Sequence, residues 1–82
     1  MLRRIKVDGG IIVLSDAARD SIKFPEDDDI GQIVRSICPA SGVEVTQRHP
    51  VSLILKCTPE MAEADQERLV QRVDERVSRT QF

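Results

Sequence analysis

The sequence predicts an α+β domain: a mainly antiparallel four- to five-stranded sheet with two helices packed on one face, in the order β-β-(β)-α-β-β-α. Three observations lead there. The stretch from Thr58 to Gln81 contains no glycine, is rich in strong helix formers, and repeats apolar residues at helical spacing. Gly9-Gly10 stands between two short runs of strand-forming residues, the mark of a tight hairpin. Val43–Thr46 and Val51–Cys57 each alternate apolar with polar residues around a turn at Gln47-Arg48-His49-Pro50.

In chain order, Arg4–Asp8 and Ile11–Ser15 form the first hairpin. With Gly9 and Gly10 as its loop, Val7 faces Ile12 and Ile5 faces Leu14, so these four share the side that a helix would cover. The other side pairs Lys6 with Val13 and Asp8 with Ile11, and is half apolar. Scattered exposed apolar residues are ordinary on protein surfaces. Set beside Ile54, however, Ile11 and Val13 become candidate partner-binding residues. Ser15 to Arg19 suits a turn or a single helical turn capped by Ser15 or Asp16. Ser21-Ile22-Lys23-Phe24 alternates like a third, short strand closed by Pro25, while a helix from Asp16 to Phe24 competes, because Ala17, Ala18 and Ile22 also share a face.

Glu26-Asp27-Asp28-Asp29 leads into Ile30, Ile33, Val34, Ile37 and Cys38, which recur at helical spacing. This predicts a helix over 28–38, its acidic mouth matched to the positive end of the helix dipole and its end set by Pro39. After the strand at Val43–Thr46, the strand Val51–Cys57 turns Val51, Leu53, Leu55 and Cys57 to one side and Ser52, Ile54 and Lys56 to the other. Apolar character on both sides predicts a central strand. The last helix is expected over 59–79, with Thr58 as N-cap and Pro59 in the first position. Ala62, Leu69, Val70, Val73 and Val77 form its stripe, and Glu63, Glu67, Arg68, Arg72, Glu75 and Arg79 its wet side. The expected core is Ile5, Val7, Ile12, Leu14, Ile30, Ile33, Val34, Ile37, Val45, Leu53, Leu55, Leu69, Val73 and Val77.

A chain of 82 residues fits one domain, 1–82, with a modest core. At this size apolar burial and conformational entropy nearly cancel, so a partner or a second copy is an expected source of added stability. Lysine and arginine total 12 against 14 acidic residues, a net charge of -2 that argues against a broad nucleic-acid footprint. The two phenylalanines, with no tryptophan or tyrosine, do not supply a base-stacking platform. Cys38 and Cys57 are expected to be free and buried, in a chain without a disulfide-dense pattern. No run approaches the roughly 18 apolar residues of a membrane span, and Ile11–Leu14 is too short for a signal-peptide core, so no membrane association and a cytoplasmic location are expected.

The search for chemistry eliminates several sites. Glu26, Asp28 and Gly31 echo a calcium loop, but Ile30 and Ile37 occupy ligand positions that need oxygen donors. Cys38, His49 and Cys57 have no paired-ligand zinc spacing, and neither cysteine has a context that activates a nucleophile. Gly9-Gly10 lacks the lysine and following helix of a phosphate loop. No catalytic, cofactor-binding or metal-ligating residue is assigned, and the chain is expected not to be an enzyme. What remains are two charge features, acidic at Asp27, Asp28 and Asp29, basic at Arg4, Lys6 and Arg48, together with the apolar residues Ile11, Val13 and Ile54. They suit steering onto another macromolecule. The expected function is a non-catalytic protein-interaction module of accessory, regulatory or inhibitor-like type, with a homodimer favoured slightly over a monomer. The second reading is a small dimeric nucleic-acid-binding regulator that uses the basic hairpin ends, with Arg3 and His49 beside Arg4 and Arg48.

Overall fold

Four strands and two helices follow one another as β1 (Arg3–Asp8), β2 (Ile11–Ser15), α1 (Asp27–Ile37), β3 (Gly42–His49), β4 (Ser52–Thr58) and α2 (Glu63–Thr80). They are seen in a computed structural model that describes residues 2–16, 22–49 and 51–80, apart from the side chains of Lys6, Asp8, Asp27, Arg79 and Thr80. The four strands make one antiparallel sheet in the order β1-β2-β4-β3, an α+β architecture. Each hairpin contributes its second strand to the middle, so β2 and β4 are central and β1 and β3 are edges.

The first turn explains its two glycines. Gly9 and Gly10 both have positive φ, 58° and 82°, the combination required by the hairpin turn whose twist matches that of the strands. Gly10 has a second constraint: its carbonyl accepts the Cys57 N–H at 2.8 Å, and a Cβ there would stand 2.7 Å from the Cys57 carbonyl oxygen. Hairpin β1–β2 is thus seated directly on β4.

The core follows the period-2 and period-3.6 patterns. Ile12 and Leu14 of β2, with Leu53, Leu55 and Cys57 of β4, are buried in one cluster with Ile30 and Val34 of α1 and Leu69, Val70, Val73 and Val77 of α2. The helices touch each other, α1 lies against β3, and α2 lies against β1. An ion pair, Arg76 Nη2 to Asp29 Oδ2 at 3.1 Å, ties α2 to the first turn of α1. Each large aliphatic side chain removed fully from water contributes about 1.5–3 kcal/mol, so these residues account for most of the gain on folding.

Several expectations are corrected. The largest concerns β1. Arg4 pairs with Leu14 and Val7 with Ile12, so two residues of β1, Ile5 and Lys6, stand against the single residue Val13. This bulge shifts the alternation by one position. Arg4 therefore takes the place opposite Leu14 that was expected of Ile5, and Ile5 is 62% exposed. Val7 is half-buried, and Leu2, two residues before Arg4, is a core residue instead. Ile33, Ile37 and Val45 are also only partly buried, packed against the rim of the core.

No third strand forms at 22–24: Ile22 and Phe24 are buried and Lys23 is exposed, but the backbone has no ladder partner there. Residues 17–21, the rest of that segment and of its helical alternative, lie outside the described residues. β3 is longer than expected. Gln47, Arg48 and His49 continue the ladder past a second bulge at Thr46, instead of forming a turn. Helix α1 spans 27–37 with Glu26 at its N-cap, and the Glu26 side chain makes no cap hydrogen bond. Helix α2 begins at Glu63, so Thr58 ends β4 and Pro59 precedes a loop. The physical reason is Met61, whose side chain is buried in the core and whose carbonyl accepts the Gln66 Nε2 at 2.7 Å. Ala62, expected on the stripe, is exposed at the end of that loop, where its carbonyl receives the Gln66 N–H.

Candidate interaction surfaces

The first candidate is the sheet face opposite to Ile12, Leu14, Leu53 and Leu55. Strand periodicity places Ile11 and Val13 of β2 there, with Ile54 and Lys56 of β4 and Glu44 and Gln47 of β3. Cross-strand register aligns Ile11 with Lys56 and Glu44, and Val13 with Ile54 and Gln47. Ile11 is 39% exposed, Val13 and Ile54 are half-buried, and Lys56, Glu44 and Gln47 are exposed. The three expected apolar residues therefore form a contiguous strip on the central strands, flanked by polar side chains on β3.

The second candidate was not foreseen. Arg4, Ile5 and Val7 of β1 face Glu60, Met61, Ala62, Glu63 and Gln66 across a groove of about 640 Å³. Arg4 closes one part of it. Its Nη1 donates to Gln66 Oε1 at 2.8 Å, and its Nη2 lies 3.0 Å from Glu63 Oε1 and 3.2 Å from Glu67 Oε1. Gln66 is 3% exposed and uses both ends of its amide, accepting from Arg4 and donating to Met61. Two residues before Arg4, the Leu2 N–H donates to Asp74 Oδ1 at 2.9 Å. Edge strand β1 is thereby bound to α2 on its inner side, while Ile5 stays exposed at the groove's margin.

The expected charge features are reorganised by these contacts. Arg4 and Arg48 occupy the same row across the sheet, since both are linked through Leu14 and Leu53, and Arg3 and His49 share the next row. Each pair spans three inter-strand steps, roughly 14 Å, and so sits at opposite edges. Arg4 is committed to carboxylates and Gln66, which removes it from the basic surface. Arg48 and His49 are exposed on β3. In the acidic group, Asp28 is exposed and Asp29 is paired with Arg76. The side chains of Lys6 and Asp27 lie outside the described set.

Both thiols are free. Cys57 is buried beneath the sheet, and burial, reinforced by nearby Cys38, pushes its thiol above its ordinary pKa. This is the opposite of an activated nucleophile. Cys38 is half-buried and accepts the Ser41 hydroxyl at 3.2 Å. Among the described residues no group of three or more His, Cys, Asp or Glu side chains converges as a metal site, and no helix is long and apolar enough to cross a membrane. Comparison of the chain with protein-family models, with curated proteins and with solved structures finds no match.

Sequence reasoning missed Gln66, Met61 and the exposed Ile5. Gln66 had a legible signal, since it falls on the helical stripe shared by Leu69, Val73 and Val77. A lone amide on an apolar stripe requires a buried polar partner. Arg4 is that partner.

Proposed function

We propose that this protein is a non-catalytic protein-interaction module, accessory or regulatory in role, which acts in the cytoplasm by occupying a surface of another protein. The observation that supports this most is the strip of Ile11, Val13 and Ile54 on the outer face of the central strands, left partly open to water. Apolar side chains on a sheet's second face are stabilised when a partner removes them from water, by about 25 cal/mol per Å². Self-association into a homodimer through the same face is one form of this reading. Four strands about 4.8 Å apart and five to eight residues long offer roughly 400 Å² per copy, half of the about 800 Å² typical of a stable interface. A durable complex through this face must therefore engage further surface.

Capture from extract of the native cells, at near-physiological salt and with and without nuclease, tests the proposal. The expected outcome is a stoichiometric protein that survives nuclease and is lost with Ile11→Lys. Recovery of nucleic acid alone, falling steeply with salt and lost with Arg48→Glu, would establish the nucleic-acid-binding reading instead. Sedimentation equilibrium on the purified chain decides between self-association and a different partner.

A further inference from the structure

We infer that the groove between β1 and α2 receives an extended, basic segment of the protein partner, laid along the free edge of β1. It rests on the interaction-module reading and adds the chemistry of one element that the partner brings.

Four features of this edge converge. β1 pairs with β2 alone, so among the described residues the other side of its backbone has no strand partner. Unpaired strand edges are recognised by extended peptides through main-chain hydrogen bonds, and adjacent pockets for alternate side chains add the selectivity. Here the adjacent pocket exists. The groove lies against the same strand, with half-buried Val7 and buried Met61 among its lining residues and Ile5 the most exposed large apolar side chain beside it.

Charge selects the occupant. Glu60 and Glu63 line the groove, and Glu67 stands one helical turn beyond Glu63. Among the lining residues Glu60 and Glu63 stand against one cation, Arg4, whose guanidinium is already held by Gln66, Glu63 and Glu67. The side chains of Glu63 and Glu67 are 80% and 60% exposed, so they retain capacity for a second cation. An acidic segment would meet repulsion here, and a neutral one would leave the carboxylates unused. The bulge at Ile5–Lys6 breaks the edge into two short pieces, which limits the main-chain pairing and leaves side chains to supply much of the selectivity. A segment alternating apolar with lysine or arginine residues matches both requirements, its apolar residues toward Ile5, Val7 and Met61 and its cations toward Glu60 and Glu63.

The full chain, labelled with ¹⁵N and titrated with a short capped peptide of alternating valine and lysine, tests this directly. The expected result is saturable shifts of the amides in 4–7 and 60–66, suppressed by salt. Replacing lysine with glutamate in the peptide should abolish them. The double variant Glu60→Lys with Glu63→Gln should weaken binding by about tenfold or more, as expected for removed charge complementarity. Equal binding of the acidic and basic peptides, or no shifts at all, would overturn the inference. Shifts confined to Ile11, Val13 and Ile54 would also overturn it, while leaving the outer sheet face as the interaction surface.

Discussion

The two edges of the sheet meet the same problem and solve it differently. β1 and β3 each expose one side of their backbone, and each contains a bulge, between Arg4 and Val7 in one and between Val45 and Gln47 in the other. Bulges twist an edge away from regular pairing and are one of the devices that protect sheets from indiscriminate association. At β3 the irregularity is closed within the sheet: the Thr46 hydroxyl donates to the Ile54 carbonyl at 3.1 Å, and the residues from Thr46 to His49 are polar and exposed. At β1 the bulge does the reverse. It turns Arg4 inward to α2, throws Ile5 out to water, and leaves a groove alongside. The same local device thus finishes one edge and equips the other. The composition of the exposed residues, more than the presence of a bulge, separates a closed edge from a receptive one.

The contrast can be broken first at the turn that holds β1 in place. Gly10→Ala would put a Cβ against the Cys57 carbonyl and impose a positive φ on alanine, which should cost about 2–4 kcal/mol. Gly9→Ala shares the positive φ but has nothing within 4 Å of the new Cβ, so only about 1 kcal/mol is expected. Urea denaturation of the two variants, with equal losses, would show that β1–β2 is not seated on β4 as described.

That turn was legible from the start, because two adjacent glycines between strand-like runs have few other uses, and Val7 does face Ile12. The inward positions of β4 and the Ile30–Val34 stripe were equally legible, since in each the burial period matches the chemical period. The bulges were not. Ile5 and Val7 alternate like any half-buried strand, and an extra residue in the ladder leaves no compositional mark. The start of α2 was misplaced for a related reason: proline followed by glutamate fits a first helical turn, and only the tertiary burial of Met61 delays the helix to Glu63. Ile22 and Phe24 alternate because both fill the core from an irregular backbone, so their pattern was real and the strand was not. Of the candidate surfaces, the outer strip at Ile11, Val13 and Ile54 could be read from strand parity. The groove depends on a bulge and a delayed helix, neither of which the residue pattern encodes.

A smaller perturbation sharpens the difference between the edges. Arg4→Ala removes the donor to a buried amide and the counter-charge of two carboxylates, with an expected loss of about 1–3 kcal/mol. Gln47→Ala, on the exposed part of β3 beyond its bulge, should change stability by under about 0.5 kcal/mol. Thermal unfolding of both variants checks the pair, and similar losses would mean that Arg4 is no anchor.

The smallest expected effect is the most informative, because everything assigned to β1 depends on which way Ile5 points. Ile5→Asp should leave stability within about 0.5 kcal/mol of the parent, as for a substitution on an open surface. In a regular ladder Ile5 would lie opposite Leu14, and a buried, unpaired carboxylate there would cost several kcal/mol. Equilibrium unfolding of Ile5→Asp, with Leu14→Asp as the core control, separates these directly. A cooperative transition at the parent's midpoint is the result predicted here; a loss comparable to that of Leu14→Asp would contradict the bulge, the groove and the receptive edge together.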